Sequence, residues 1–325
     1  MKICIIKLGA DGDVLRTLPL AKAVKDKHKE AEITWITKGD IADLINNLDY
    51  ISKVIKLPYN NNEKFDILYN FDIEDAALEL ASGISADKKY GFYKNSDYPA
   101  AFNLGAEYYL NTMFDDELKK TNKKTYQEMM FEVAEFPYKK ERYSLHLNEK
   151  DRAYVQKFIM ENNIKEEKII GIHMGASPRW PSKAWSEKKL MEFIIEAKKR
   201  NYGIILFGGP NEVIIHKEFI HKLKESNIIV YQNNPNNSKR EFASLVDMCN
   251  IMVCSDTFAL HVSIGLGKKT IGLFFCTSPD EIEGYGLLKK AVSPLLYNFF
   301  PERSDEYSED LVNSISAEEV IKLLQ

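Results

Sequence analysis

Short runs of β-branched and aromatic residues alternate along the chain with longer segments of helical periodicity. In chain order the apolar runs are KICIIK, EITWIT, FDILYN, KIIGIHM, YGIILFGG, NIIVYQ, NIMVCSD and KTIGLFF. The clearest helical segment, 187–200, follows a capping serine, Ser186, and has one apolar face made of Leu190, Phe193, Ile194 and Ala197. Strands that alternate with helices predict parallel sheets covered by helices, so we expect an α/β fold.

The alternation is interrupted between the two halves of the chain. Residues 105–151 form a Lys- and Tyr-rich stretch, and KIIGIHMG then restarts the strand–helix pattern. We predict a boundary near residue 150 and two doubly wound, Rossmann-like parallel-sheet domains that face each other across a cleft. Ligands of such sheets bind beyond the carboxyl ends of the strands, so the loops after the apolar runs are the candidate sites.

Composition narrows the class of protein. The chain has 325 residues, 45% of them hydrophobic, and a net charge of -4, which gives no overall basic field for nucleic acid. We expect its widely spaced cysteines to be reduced core residues rather than disulfides or metal ligands: Cys4, Cys249, Cys254 and Cys276. Since no apolar run reaches the ~18 residues of a membrane span, we expect a cytoplasmic protein without a leader segment.

Two loops of the second half suit a nucleotide. GASPRWPSKAW places Ser177, Arg179 and Lys183 between a strand and a capped helix, where backbone N–H groups and a cation favour an anion. In the next loop, GGPNE, Gly209 lets the chain approach a ligand, and Glu212 can accept hydrogen bonds from ribose hydroxyls. The two loops also have ordinary interpretations, as a solvated basic loop and as a helix start.

The segment IMVCSDTFALHVSIGLGKKTIGLFFCTSP contains a strand end, a helix and a second strand end. The helix after Asp256 and Thr257 is apolar nearly all round and is expected to be buried, so His261 within it needs a partner. A backbone carbonyl would satisfy that histidine as well as a ligand would. Thr277 follows the second strand, and the loops of this domain together favour a nucleotide-diphosphate site.

The turn after the first strand, KLGADGDVL, carries carboxylates where a phosphate-binding loop would be rich in glycine. Gly9 and Gly12 lack the G-x-G-x-x-G spacing, and Asp11 and Asp13 would repel a pyrophosphate. A carboxylate on a turn at a strand end is placed to act as a general base, and we predict this role for Asp13. Its alternative role is that of N-cap of the following helix.

Taken together, these residues resemble glycosyltransferase family 9, the ADP-heptose:lipopolysaccharide heptosyltransferases. The resemblance covers most of the chain through GADGDVLRTLPLAKAVK, TYQEMMFEVAEF (similar to the family's interdomain helix), SKAW, FGGPNE, SDTFALHVSIGLGKKTIGLFFCTSP and EGYG, in this order. It implies a GT-B fold with an acceptor-binding domain over 1–150 and a donor-binding domain over 151–305. It further implies a last segment, 306–325, whose helix packs back on the first domain.

The activity that the resemblance implies is an inverting transfer of heptose from ADP-heptose to a saccharide of the lipopolysaccharide core or another surface glycan, without metal or cofactor. Asp13 would be the catalytic base, and Lys183 would stabilise the departing diphosphate. The implied donor contacts are Ser177, Lys183, Gly209, Glu212, Asp256, Thr257, His261 and Thr277, and the implied acceptor contacts are Gly12 and Arg16. The implied partners are a nucleotide sugar and a saccharide or glycolipid acceptor, with peripheral contact to the inner membrane and no nucleic acid.

Two features depart from the family pattern. Phe258 stands where the family has a glycine after Asp-Thr, which implies a shifted pyrophosphate contact or a narrower sugar pocket. After FDILYN the chain has Asp72, Glu74 and Asp75 instead of arginines, and acidic residues would repel an anionic acceptor. The stretch LKKTNKKTY offers replacement cations or a contact with an anionic membrane, although its lysines are also typical of a solvated loop.

Two other functions fit the same fold. A sugar-nucleotide epimerase would act on the donor without an acceptor, and a catalytically silent binding protein would turn over no donor. Phe258 supports the silent protein, whereas the presence of Asp13, Lys183 and His261 together argues against it.

Overall fold

The computed structural model describes residues 1–175 and 177–325. These residues form two compact units, one of residues 1–146 and 280–283 and one of residues 147–279 and 284–325. The predicted class, α/β with two parallel-sheet domains, is confirmed. The sequence placed the boundary near residue 150 and did not anticipate that the segment Asp280–Glu283 would belong to the first unit.

The first unit is built on a six-stranded sheet with the order β3-β2-β1-β4-β5-β6. Its strands are β1 (Lys2–Ile6), β2 (Glu32–Thr37), β3 (Lys53–Lys56), β4 (Phe65–Asn70), β5 (Ala86–Asn95) and β6 (Tyr98–Ala101). Its helices are α1 (Asp11–Lys27), α2 (Ile41–Ile45), α3 (Asp75–Gly83), α4 (Glu107–Thr112), α5 (Asp116–Thr121) and α6 (Tyr126–Val133). Only β6 is antiparallel to its neighbour. The strand order reverses beside β1, so the switch point lies at the carboxyl ends of β1 and β4.

The central strands of this unit are continuous apolar runs because both faces of a parallel sheet are covered. In β1 every residue after Lys2 is buried. One side of the sheet packs in a core cluster of Cys4, Ile6, Leu8, Ile36, Phe65, Leu68, Ala77, Ala81 and Ile84. The stretch that the sequence analysis described as a connection contains α4, α5 and α6, and α6 packs on α1. Asp280–Glu283 joins this unit where the backbone N–H of Tyr126 donates to the carbonyl of Glu281 at 3.0 Å.

The second unit has an all-parallel sheet with the order β12-β11-β10-β7-β8-β9. Its strands are β7 (Ile169–His173), β8 (Gly203–Phe207), β9 (Tyr231–Gln232), β10 (Ile251–Ser255), β11 (Lys269–Phe274) and β12 (Leu288–Val292). Its helices are α7 (Glu149–Asn162), α8 (Glu187–Lys199), α9 (Val213–Glu225), α10 (Lys239–Met248), α11 (Phe258–Gly265), α12 (Glu309–Asn313) and α13 (Ala317–Lys322). The switch point lies at the carboxyl ends of β7 and β10.

Two predicted helices of this unit are confirmed. The hydroxyl of Ser186 caps α8 by accepting from the backbone N–H of Lys189 at 3.3 Å. Helix α11 is buried from Ala259 to Gly265, as its apolar sequence indicated. Because α11 packs on both β10 and β11, the residues at its N-terminus are fixed at the edge of the sheet.

The last segment of the chain packs on the second unit, and its predicted packing on the first domain stays a prediction. Helix α13 lies against α8, and Ile315, Val320 and Ile321 are part of the second unit's core. The indole N–H of Trp185 donates to the carbonyl of Ile315 at 3.0 Å. The apolar face of α8 therefore provides the surface that these C-terminal residues cover.

Each of the four cysteines is buried and outside a disulfide. Among the residues that the structure describes, no helix is both long enough and apolar enough to cross a membrane.

Candidate active site

Lys183 reaches the end of β10 at the switch point of the second unit. Its Nζ donates to the backbone carbonyl of Asp256 at 2.9 Å and lies 3.3 Å from the Oδ2 of that residue. The hydroxyl of Ser255 donates in turn to the backbone carbonyl of Lys183. The side chains of Lys183 and Asp256 are 13% and 18% exposed. The SKAW loop is thus tied to β10 with its cation still accessible.

His261 lies on the other side of the same carboxylate. Its Nε2 is 3.5 Å from the Oδ1 of Asp256, and its side chain is 6% exposed. The sequence left open whether a ligand or a carbonyl would satisfy this histidine, and the structure provides a carboxylate. Asp256 is therefore held between Lys183 and His261, and three of the predicted donor contacts lie in one cluster.

Glu212 lies where the loops after β7 and β8 meet. The backbone N–H of Gly209 donates to its Oε2 at 2.7 Å. A Cβ atom at Gly175 would lie 2.8 Å from its Oε1, so the Glu212 carboxylate packs closely against the backbone of this glycine. Glu212 also caps the 3-10 turn Pro210–Glu212, so the ordinary interpretation as a helix start holds alongside the predicted ribose contact.

The remaining predicted donor contacts, Thr257, Thr277 and Ser177, have no described hydrogen bond to the cluster of Lys183, Asp256 and His261. The hydroxyl of Thr257 donates to the carbonyl of Ser255 at 3.3 Å at the start of α11. The hydroxyl of Thr277 is buried and has no hydrogen-bond partner within residues 1–175 and 177–325, so a ligand would satisfy it. Ser177 is exposed, and its hydroxyl accepts from the backbone N–H of Arg179 at 3.3 Å. The roles of these residues stay predictions.

Phe258 packs sideways onto α10. The ring centroid of Phe258 lies 5.5 Å from that of Phe242, and the Nζ of Lys239 lies 4.6 Å from the ring centroid of Phe258. The benzyl group of Phe258 is therefore part of an aromatic group between α10 and α11.

Two histidines at the same sheet edge were missed by the sequence analysis. Burial lowers the pKa of His173 to about 4, with a further lowering from His216 and Lys239. Burial also lowers the pKa of His216. The Nδ1 of His173 and the Nε2 of His216 have no partner within the described part of the chain. The position of His173 at the end of the KIIGIHM run was the available signal.

Asp13 lies in the first turn of α1, at the switch point of the first unit. The helix is capped by Ala10 without a side-chain bond, so the alternative role of Asp13 as N-cap is wrong. Its Oδ1 accepts from the Nε of Arg16 at 3.0 Å and lies 2.8 Å from Nη2. The guanidinium of Arg16 stacks over Tyr126, 3.8 Å from the ring centroid. The Asp13 side chain keeps 28% of its surface exposed, which suits a group that meets a substrate. Gly12, the other predicted acceptor contact, is buried beside it.

The structure adds a buried ion pair behind this turn. The Nζ of Lys7 lies 3.4 Å from the Oδ2 of Asp72, and the two side chains are 3% and 4% exposed. The predicted repulsion of an acceptor by Asp72 is wrong, because this carboxylate faces the interior. Two parallel neighbours, β1 and β4, end beside Lys7 and Asp72, and this adjacency was the signal that could have placed the two residues together.

The other charged residues predicted near the acceptor lie further out. Glu74 pairs with Lys38 at 2.6 Å, and Lys123 pairs with Asp280 at 2.7 Å. Asp75 is 80% exposed and lies 3.5 Å from a lysine of β5. The net field at this surface is thus smaller than the acidic residues alone suggested.

Comparison with known proteins identifies the family. The sequence model of glycosyltransferase family 9 (heptosyltransferase) matches residues 62–312. The lipopolysaccharide core heptosyltransferase OpsX of Haemophilus influenzae is 20% identical in an alignment of 307 residues that covers 90% of this chain and 84% of that protein.

Solved structures share the fold. A glycosyl transferase of family 9 from Veillonella parvula has a TM-score of 0.77 at 16% identity, over 99% of this chain and 95% of its own. The ADP-heptose lps heptosyltransferase II of E. coli has a TM-score of 0.72 at 16% identity, over 100% of this chain and 97% of its own. Since the family match spans most of the sequence, the chain belongs to glycosyltransferase family 9, the heptosyltransferase family, and is a glycosyltransferase with a GT-B fold.

Proposed function

We propose that the protein transfers a heptosyl residue from ADP-heptose to a hydroxyl of a lipopolysaccharide core saccharide or a related surface glycan. The observation that carries this proposal is the cluster of Lys183, Asp256 and His261 at the switch point of the second unit. Relatives of the chain are named lipopolysaccharide heptosyltransferases, and ADP-heptose is part of the name of one similar structure. We further propose that the reaction takes place in the cytoplasm, with peripheral contact to the inner membrane.

The second unit would bind the donor. An ammonium group has three N–H donors, and the described contacts of Lys183 go to the two oxygens of Asp256, which leaves a donor for a phosphate oxygen. The Oε1 of Glu212 would accept from a ribose hydroxyl, and the hydroxyl of Thr277 would gain a partner. Ser177, Gly209 and Thr257 are proposed as further contacts of the donor.

Asp13 would act on the acceptor. Its carboxylate takes the proton of the acceptor hydroxyl while the oxygen forms a bond to the anomeric carbon. The bond from that carbon to the diphosphate oxygen breaks, ADP leaves with the electron pair, and the configuration inverts. In this proposal the ammonium of Lys183 stabilises the charge on ADP, so no metal ion is required.

A binding experiment tests the donor. Purified protein is titrated by calorimetry with ADP, GDP and UDP, in EDTA and then in Mg²⁺. We expect selective binding of ADP that does not depend on Mg²⁺. Selective binding of GDP or UDP would contradict the proposed donor.

A turnover experiment tests the reaction. ADP-heptose is incubated with the enzyme in EDTA, with and without truncated lipopolysaccharide core acceptors, and ADP release and glycan mass are measured. Transfer that needs the acceptor supports the proposal. Conversion of the donor sugar without an acceptor would indicate the epimerase, and no turnover with any acceptor would indicate a silent binding protein.

A further inference from the structure

Asp72 connects the two strand ends at the switch point of the first unit. Its Oδ2 accepts from the backbone N–H of Leu8 at 2.9 Å and from that of Gly9. Its Oδ1 accepts from the backbone N–H of Glu74 at 3.1 Å. One buried carboxylate therefore holds both the turn that leads into α1 and the loop that leads into α3.

Lys7, at the end of β1, pairs with Asp72 and also binds the strand end beside it. Its Nζ donates to the carbonyl of Phe71 at 3.1 Å and lies 3.4 Å from the Oδ2 of Asp72. A Cβ atom at Gly9 would lie 2.9 Å from that oxygen and 3.1 Å from the Nζ of Lys7. Gly9 is thus the residue that allows the backbone to close over the ion pair.

The turn held in this way ends at Asp13. Helix α1 begins at Asp11, and the backbone N–H of Asp13 donates to the carbonyl of Ala10 at 2.8 Å. The hydroxyl of Thr17 donates to the carbonyl of Asp13 at 2.7 Å and lies 3.2 Å from the hydroxyl of Tyr126. The backbone N–H of Asp13 is therefore held by the turn before it, and its carbonyl is held by Thr17, which lies against α6.

We infer that Lys7 and Asp72 are positioning residues for the transfer reaction, because this buried pair fixes the turn that carries Asp13. The inference rests on the proposed role of Asp13 as the base. It also assigns a function to two residues that do not contact substrate.

The positive charge of Lys7 also acts on Asp13. Burial lowers the pKa of Lys7, but Tyr126, Asp72 and Asp13 together raise it by a larger amount. The pKa therefore lies well above its ordinary range. Lys7 is therefore an ammonium ion at neutral pH. By reciprocity its charge favours the ionised form of Asp13.

The first test is hydrogen exchange, which needs no substrate. We compare wild type with Asp72→Asn, with the double variant Lys7→Met/Asp72→Asn, and with Asp151→Asn. In the single variant Lys7 loses its charged partner, and we expect the amides of Leu8 and Gly9 to exchange about tenfold faster or more. The double variant removes both charges and keeps an acceptor oxygen, so its exchange should return part of the way to wild type.

Asp151→Asn is the matched control. Asp151 pairs with Arg240 in the second unit, and its side chain is 8% exposed, so the same substitution breaks a buried pair away from the turn. We expect wild-type exchange at Leu8 and Gly9 in this variant. Equal acceleration in both Asp→Asn variants would show a general loss of stability and would overturn the inference.

The second test is the reaction. In Asp72→Asn we expect kcat for transfer from ADP-heptose to fall about tenfold or more, with the Kd for ADP unchanged, because the donor site lies in the other unit. A wild-type kcat despite faster exchange at the turn would overturn the inference.

The pH dependence of kcat supplies a readout that a merely structural role would not move. The charged and titratable groups around Asp13 include Arg16 of its own helix, Lys7 at the end of β1 with its partner Asp72, Tyr109 of α4 and Tyr126 of α6. In Lys7→Met the positive charge is lost while Asp72 keeps its backbone donors, so the acid limb of the profile should shift to higher pH by about half a unit or more. An unshifted limb would overturn the inference.

An inactive wild-type protein would contradict the proposed function, and it is distinguishable from failure of the inference. In that case exchange at Leu8 and Gly9 that stays at the wild-type rate in Asp72→Asn still overturns the inference.

Discussion

The two units carry the same chemistry at their switch points, a lysine paired with an aspartate that follows a strand, but they bury it to different degrees. Lys7 and Asp72 are 3% and 4% exposed, whereas Lys183 and Asp256 are 13% and 18% exposed. In the first unit the carboxylate accepts from backbone N–H groups of a turn. In the second unit the carboxylate lies between two cationic or titratable side chains, those of Lys183 and His261.

This difference in burial distinguishes a pair that holds the backbone from a pair that can bind a ligand. A buried carboxylate that accepts from backbone donors is out of reach of a ligand, so its effect is to hold the chain. A partly exposed lysine with a remaining donor can exchange contacts when an anion arrives. The same residue pair therefore positions Asp13 in one unit and, in our proposal, binds a diphosphate in the other.

The largest expected effect tests whether the first unit supplies the catalytic base while the second unit binds the donor. Asp13→Asn should lower kcat by about 10²–10⁴-fold, because the amide cannot take the acceptor proton. The Kd for ADP should not change. Transfer kinetics and calorimetry check this, with Asp11→Asn, two residues earlier on the same turn, as the control. Wild-type kcat in Asp13→Asn would remove Asp13 from the role of base.

The next effect compares the stability contributed by the two pairs. Asp72→Ala should destabilise the first unit by about 3–5 kcal/mol, because it leaves the Lys7 ammonium buried without its carboxylate. Asp256→Ala should cost the second unit about 1 kcal/mol, since its partner can reach solvent. Exchange of the strand amides of each unit in increasing urea measures both values.

The exposed pair Lys64 and Asp87, which lie 2.5 Å apart, provides the control for this comparison. Asp87→Ala should leave the stability of the first unit nearly unchanged. Equal losses for Asp72→Ala and Asp256→Ala would mean that burial does not distinguish the two switch points.

A smaller effect tests the binding group itself. Lys183→Met should weaken ADP binding by about 10–100-fold and leave adenosine binding nearly unchanged, because the lost contact is to phosphate. Lys189→Met is the matched control, since Lys189 lies on the same side of the unit but pairs with Glu192 at 3.0 Å. Equal losses for ADP and adenosine in Lys183→Met would indicate a structural role for the lysine.

The smallest effect is a dependence of second-unit stability on pH. The pKa of His173 is lowered to about 4 by burial, whereas an unfolded histidine titrates near 6.5. The unfolded chain therefore binds the proton first, and stability that is present above about pH 6.5 should be lost as the pH falls toward 4, by about 1 kcal/mol per pH unit. The urea midpoint of the second unit measured from pH 7 to 4.5 checks this.

His173→Gln should show a shallower loss over the same range. His221→Gln is the control, because the side chain of His221 is 74% exposed. An identical pH dependence in wild type and His173→Gln would contradict the expectation.

The sequence by itself determined the elements that are buried and regular. The central strands β1, β4, β7, β8, β10 and β11 were visible as apolar runs, because a strand covered on both faces must be apolar throughout. The capped helix α8 and the buried helix α11 followed from their periodicity and composition. The order of strands and motifs was sufficient to predict the α/β class and the family.

Strands β3, β5 and β12 were missed for the opposite reason. Strands β3 and β12 are partly exposed and carry lysines, so their sequences, KVIK and LKKAV, lack the apolar signal. Strand β5 is interrupted by charges in ADKKYGFYKN. The short helices α4 and α5 have no long periodic segment, whereas α6 lies in TYQEMMFEVAEF, which the resemblance had indicated as a helix, and is stabilised by its packing on α1.

Only the tertiary structure decided what the charged residues do. The sequence presented Asp72 as a surface acid and Asp13 as a base or a cap. The order of the strands places Lys7 beside Asp72 and brings the ends of β7 and β10 next to each other. Packing on α8 places the last helix on the second unit. The cause is physical: a carboxylate pairs with whatever the fold brings within a few ångströms, and parallel strands bring together residues that are far apart in the chain.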